Sequence, residues 1–174
     1  MLTISTSYGE IRPWRLADAE ALVNYGNNRK VWLNLRDGFP HPYTLKDAQA
    51  FLERVTRSTP ETMFAIATIE EAIGGIGLSP NQDVHRLTAE LGYWLAEPYW
   101  GRGIMTETVT KLTDYALEQF GLMRIYAEPY APNTASCRVL EKASYSLEGR
   151  LRNSVIKDGR ILDQFMYARL NNRR

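Results

Sequence analysis

The hydrophobic pattern of this chain changes period abruptly near its middle, and nothing else in the sequence constrains the fold as tightly. Over Thr88–Ala96 apolar and polar residues alternate, with Tyr93 and Leu95 on one side and Glu90, Gly92 and Trp94 on the other, and Pro98 ends the run. Beyond it Ile104, Thr108, Leu112, Ala116 and Phe120 recur every four residues with Val109 alongside, which predicts a helix over Thr106–Phe120. Gly121 follows where a left-handed residue ends many helices. Between strand and helix lies Trp100-Gly101-Arg102-Gly103. A strand that passes through a glycine turn into a helix aims N–H groups and the positive end of the helix dipole at one place, a ready anion site. Gly101 and Gly103 let backbone approach a phosphate closely, Arg102 adds a positive charge and Thr106 a hydroxyl donor. The chemistry implied is pyrophosphate binding, and the alternative is a plain turn. The run is not a dinucleotide fingerprint, since no Gly-x-x-Gly continues it, and not a P-loop, since no Gly-Lys-Ser/Thr follows.

The rest of the chain predicts a mixed α/β domain. A strand over Ser7–Arg12 ends at Pro13. A short helix from Asp18 through Val23 weakens at Asn27-Asn28 and resumes at Val31-Trp32-Leu33. Thr44-Leu45-Lys46-Asp47 is a capping box, and a helix to about Arg57 should turn Ala48, Phe51, Leu52 and Val55 inward. Met63–Ile69 and Ala72–Leu78 read as a hairpin, with Gly74, Gly75 and Gly77 suggesting a bulge. Strands are expected at Arg124–Glu128, Tyr145–Gly149 and Ile161–Leu170, with a turn at Lys157-Asp158-Gly159-Arg160 and a helix at Thr134–Lys142. Asn171–Arg174 reads as a frayed tail. A length of 174 residues suits one domain, 1–174 with its core over about 8–170, large enough to bury a sizeable interior.

Composition narrows the function. The formal net charge is +1, which argues against a strongly basic nucleic-acid binder. Acids outnumber bases over residues 1–100 and bases outnumber acids over 101–174, either scatter or a second half that meets an anion. The single cysteine, Cys137, cannot form an internal disulfide, and with His41 and His85 far apart no zinc pattern exists, so no metal is expected. No leader opens the chain and no apolar run reaches the ~18 residues of a membrane span, so the expectation is a cytoplasmic protein with no membrane partner.

Two segments then resemble a known family. Ala89-Glu90-Leu91-Gly92-Tyr93-Trp94-Leu95 followed by Trp100-Gly101-Arg102-Gly103-Ile104-Met105-Thr106-Glu107 resembles the acetyl-CoA motif of the GNAT superfamily of N-acetyltransferases. The likeness is greatest to the branch of ribosomal-protein N-terminal acetyltransferases (RimJ/RimL-like) and spermidine acetyltransferases. The family pattern, Gln/Arg-x-x-Gly-x-Gly/Ala, is met here by Trp100, Gly103 and Met105, so two of its three positions depart. Asn133-Thr134-Ala135-Ser136 and Val139 to Gly149 resemble the family's Asn-x-x-Ser and Glu-Lys-x-Gly-Phe-x-x-Glu-Gly segment, with Ser144 for Gly and Tyr145 for Phe. The likeness spans roughly Ile11 to Leu170. It implies a GNAT fold, a mixed and mostly antiparallel sheet of six to seven strands flanked by about four helices.

The resemblance also implies roles. The donor would be acetyl-CoA, attacked directly by an amine. Tyr93, Trp94 and Leu95 would pair through their backbone with the pantetheine amides and offer an N–H to the thioester oxygen. Backbone N–H groups of Gly101, Arg102, Gly103, Ile104, Met105 and Thr106 would take the pyrophosphate, with the Met105 side chain turned away from it. Asn133 would contact the pantetheine arm. Ser136 is the candidate beside the sulfur, where the family's other option, a tyrosine, is replaced by Leu140; equally, serine is at home in a first helical turn. Glu90, on the central strand, is the candidate base, directly or through a water, or else a structural ion-pair partner or a strand-edge charge; Val155 stands where some members carry a glutamate, which leaves bulk water as the alternative base. Arg36, Phe39, His41 and Tyr43 are candidate acceptor contacts, facing Arg152 to Arg160. Arg36, Arg150 and Arg152 suggest an acceptor with an acidic group, unless they are ordinary solvated charges. Cys137 reads as a small buried hydrophobe. The expected protein is an N-acetyltransferase acting on a small-molecule or peptide amine, as a monomer or homodimer. The alternative is a non-catalytic acyl-CoA-binding or partner-binding module on the same fold.

Overall fold

The computed structural model describes residues 2–171. The tail expected at Asn171–Arg174 lies outside the described residues from position 172 onward. Eight strands form one sheet in the order β1-β2-β3-β4-β5-β6-β8-β7. They are β1 (Ile4–Thr6), β2 (Gly9–Pro13), β3 (Met63–Ala67), β4 (Ala72–Pro80), β5 (Thr88–Leu95), β6 (Arg124–Ala127), β7 (Ser146–Lys157) and β8 (Arg160–Leu170). The helices are α1 (Ala19–Gly26), α2 (Arg29–Trp32), α3 (Leu45–Thr56), α4 (Ile104–Gln119) and α5 (Thr134–Lys142). The β5–β6 pair is parallel, and α4 is the crossover such a pair requires. The pairs β1–β2, β2–β3, β3–β4, β6–β8 and β7–β8 are antiparallel.

The chain divides into two compact units. The first runs through Gly77 and takes in Tyr93–Ile104. Its core joins Trp14, Leu22, Tyr43, Leu52, Val55 and Ala65, with Phe39, Phe51 and Trp94 packed on its margin. Each leucine buried there contributes about 1.5–3 kcal/mol. The capping box starts α3 as the sequence predicts: Asp47 N–H donates to Thr44 Oγ1 at 3.3 Å and Thr44 N–H to Asp47 Oδ2 at 2.9 Å. The Thr44 hydroxyl, which donates to Asp47 Oδ2, and then the Thr44 N–H hold the Asp47 carboxyl below its ordinary range. Asn28 separates α1 from α2 and caps the latter, its Oδ1 accepting from Lys30 N–H at 2.8 Å. Beneath them Arg12 and Asp18 form a buried two-pronged pair, 2.8 Å on each arm.

The second unit holds Leu78–Gly92 and the chain from Met105 onward. Here α4 buries Thr108, Val109, Leu112, Thr113 and Ala116 completely. The Thr113 hydroxyl is bonded to that of buried Tyr145 at 2.7 Å, so neither polar group is orphaned. Ile125 and Ala127 on β6 complete this interior.

Several boundaries differ from expectation. The N-terminal strand is two, β1 and β2, joined by the turn at Ser7 and Tyr8. Among the described residues, β1 brings the sheet to eight strands rather than six or seven, and α2 brings the helices to five against the expected four or so. α4 begins at Ile104 and ends at Gln119, which leaves Phe120 39% exposed instead of inward. The bulge of the second hairpin falls at Ile73, where the β3–β4 register slips, and not at the glycines after it. Gly75 instead makes room: a Cβ there would lie 2.8 Å from Trp94 Nε1. The strand expected at Tyr145–Gly149 starts at Ser146 and continues to Lys157.

Candidate active site

In the first unit β5 ends at Leu95, a single tight turn spans Glu97–Tyr99, and the backbone takes positive φ at Gly101 (75°) and Gly103 (81°) before α4 begins. Built Cβ atoms at Gly101 and Gly103 meet nothing within 4 Å, so the space in front of this backbone is open and a side chain would fill it. That is the cradle an anion needs. The loop is braced by groups distant in sequence. Trp100 Nε1 donates to Leu95 O at 2.7 Å. Asn28 Nδ2 donates to Glu97 Oε2 at 2.8 Å, and Lys30 forms an ion pair with the same carboxylate. Lys30 and then Asn28 hold the Glu97 carboxyl below its ordinary range. Tyr8 donates its hydroxyl to Arg102 O at 2.6 Å. The Arg102 guanidinium lies over the Tyr99 ring, 5.5 Å from its centroid. Ile104 and Met105, the first residues of α4, are buried, and Thr106 is half-buried.

The candidate acceptor residues belong to the same unit. Phe39 stacks on Tyr43 at 4.5 Å and meets Trp94 at 5.8 Å, so three rings from a loop and a strand end gather together. Tyr43 is 4% exposed and forms the floor under Phe39; burial pushes its hydroxyl up to about 12. His41 is exposed and stacks on Trp32 at 5.5 Å. Arg36 is exposed.

In the second unit Glu90 is half-buried on β5, in register with Tyr126 of β6. Asn133 caps α5, its Oδ1 accepting from Ser136 N–H at 3.1 Å. Ser136 thus sits in the first turn, half-buried, with its backbone fixed by the residue predicted to contact the cofactor. Cys137 is buried, and desolvation pushes its thiol up, which suits a packing role. Arg150 pairs with Asp163 (Nε–Oδ2 2.6 Å). Val155 is half-buried on β7. A groove of about 740 Å³, lined by Asp114, Glu118, Glu148 and Arg169 among others, contains none of the predicted site residues. Among the described residues no group of three or more His, Cys, Asp or Glu side chains is placed to hold a metal, and no helix is long and apolar enough to cross a membrane.

The braces Tyr8, Asn28, Lys30 and Glu97 were not foreseen. Asn28 carries a legible signal, since asparagine before a fresh apolar run is a standard helix cap. The other three depend on where the chain returns in space, and no local pattern marks them.

The acetyltransferase (GNAT) domain family matches residues 10–146. The chain belongs to the GNAT acetyltransferase family. Its relatives include the uncharacterized N-acetyltransferase p20 of Bacillus licheniformis, 30% identical over 98% of this chain and 97% of that one. Another is the ribosomal-protein-serine acetyltransferase of Escherichia coli, 30% identical over 62% of this chain and 60% of its own length. Several Bacillus subtilis relatives are matched over about half their length. Among solved structures, RimL, a ribosomal L7/L12 α-N-protein acetyltransferase in complex with coenzyme A, superposes with a TM-score of 0.84 at 22% identity, covering 96% of both chains. This GNAT protein is therefore an acyltransferase with the mixed α/β architecture of its family.

Proposed function

We propose that this GNAT acetyltransferase moves the acetyl group of acetyl-CoA to a primary amine, either a protein N-terminal α-amine or a small-molecule amine, with residues 1–174 acting as one catalytic domain. The observation that carries the proposal is the open glycine cradle at Gly101 and Gly103, leading into α4 directly after β5. Acetyl-CoA supplies a reactive thioester. In the proposal, N–H groups from Gly101 to Thr106 hold the pyrophosphate and the Tyr93–Leu95 backbone lines the pantetheine arm, helped by Asn133. Glu90 accepts the proton of the ammonium, directly or through a water. The amine nitrogen bonds to the acetyl carbon and sheds its second proton as the C–S bond breaks, while Ser136 donates its hydroxyl proton to the departing sulfur and regains the one that leaves the nitrogen. Phe39, supported by Tyr43 and Trp94, and flanked by Arg36 and His41, receives the acceptor. The ribosomal-protein-serine acetyltransferase relative supports a protein among the acceptors. The proposed setting is the cytoplasm.

Calorimetric titration with acetyl-CoA, with ATP as control, tests the donor. Affinity at least about tenfold better than for ATP, a difference of about 1.4 kcal/mol, is expected. Equal affinities would reduce the cradle to a general phosphate site. Amine-dependent release of free thiol then separates transfer from mere acyl-CoA binding.

A further inference from the structure

The N-terminal hairpin reaches the proposed phosphate cradle through a hydrogen bond. Thr6 pairs with Gly9, so Ser7 and Tyr8 form the turn between β1 and β2. From that turn Tyr8, 43% exposed, gives its hydroxyl proton to the carbonyl of Arg102, 94 residues away. A carbonyl and the N–H of the next residue share one rigid plane and point in opposite directions. Fixing Arg102 C=O therefore fixes Gly103 N–H, aimed away from Tyr8. The fixation matters here because the residue on the far side of this peptide plane is Gly103, at positive φ and without a Cβ. With so little steric restraint on that side, the plane can rotate and present its oxygen where an anion needs a hydrogen.

We infer that Tyr8 is a positioning residue for donor binding: its hydroxyl locks the Arg102–Gly103 peptide so that Gly103 N–H faces the pyrophosphate of acetyl-CoA. The inference rests on the cradle being the pyrophosphate site. Tyr8 touches no reacting atom, so its contribution belongs to binding and not to the chemical step.

The test is Tyr8→Phe, which keeps the ring and removes the hydroxyl. The expected result is a KM for acetyl-CoA, and a calorimetric Kd, raised about three- to tenfold, the size of one lost hydrogen bond. The kcat should stay within about twofold, because stabilisation shared by ground and transition states changes KM alone. A variant indistinguishable from wild type would overturn the role of Tyr8, as would a fall in kcat and melting temperature with KM unchanged. Wild-type protein that fails to bind acetyl-CoA would overturn the donor assignment, and the role of Tyr8 with it.

Discussion

Two glycines that are alike in backbone terms separate strain from function. Gly103 (φ 81°) precedes α4 and Gly121 (φ 61°) follows it, and a Cβ at either meets nothing within 4 Å. Gly→Ala at each site therefore costs only the left-handed conformation, about 1–2 kcal/mol. For a chain of this length that lowers the melting temperature by about 2–4 °C per kcal/mol, so both variants should melt about 2–8 °C below wild type. Their ligand affinities should diverge. At Gly103 the new methyl group occupies the space in which the phosphate meets backbone, and the peptide that must aim its N–H is itself distorted. At Gly121 the same methyl lies beyond the helix C-terminus, about 24 Å along the axis from its start. Gly103→Ala should weaken acetyl-CoA binding by at least about tenfold, whereas Gly121→Ala should leave it unchanged. Differential scanning calorimetry supplies the first number and isothermal titration the second. Gly103→Ala that melts low yet binds normally would show that the anion does not meet backbone there, and the cradle would lose its purpose.

Other outcomes are open to measurement. Asp18→Asn breaks the buried pair with Arg12, both residues being about 5–6% exposed; a loss of about 3 kcal/mol or more is expected, seen as a melting point at least about 6 °C lower. A shift below about 2 °C would mean that the pair is solvated. Burial raises Tyr43 to about 12, above the ordinary value near 10, so the stability it lends is complete below pH 10 and is lost as pH climbs toward 12. Burial raises Tyr145 in the same direction. Urea midpoints should fall from about pH 10 upward, less steeply in Tyr43→Phe, and flat midpoints would contradict this. Ser136→Ala should lose about 10²–10⁴-fold in kcat if the hydroxyl serves the leaving sulfur, and a loss under about threefold would remove it from that role. Glu90→Gln should flatten the acidic limb of the pH–rate profile, and a profile already flat in wild type would dismiss Glu90 as base.

The strand, glycine turn and helix at residues 88–119 were legible because period, punctuation and motif agree there. The capping box at Thr44 was legible because its partners lie three residues apart. β1 is only three residues long and has no period of its own; it exists because β2 is there to pair with. The length of β7 hid for the opposite reason: most of its twelve residues are exposed, so no apolar alternation carries the strand past Gly149. At the candidate cradle the turn at Gly101 and Gly103 could be read, because it lies along one stretch of chain. The supports could not, since Tyr8 meets Arg102 only through the fold.

The sheet has two outer strands, and open edges invite other chains to extend them. β1 offers little template, since three residues give a newcomer almost nothing to pair with. β7 is twelve residues long and exposes Leu147, Leu151 and Ile156, which on a flat ribbon would be a seed for aggregation. It is not flat. The β7–β8 register breaks between Leu151 and Val155, Asn153 sits there at φ 52°, and Arg150 lies just before the break and Arg152 within it. Such a bulge bends the edge and spoils the regular spacing that a second strand would need. The least patterned residues of the chain, from Arg150 to Ser154, therefore carry a constraint of their own: they keep a long, partly greasy edge from recruiting its neighbours, and that colloidal constraint would hold even if no step of the chemistry depended on them.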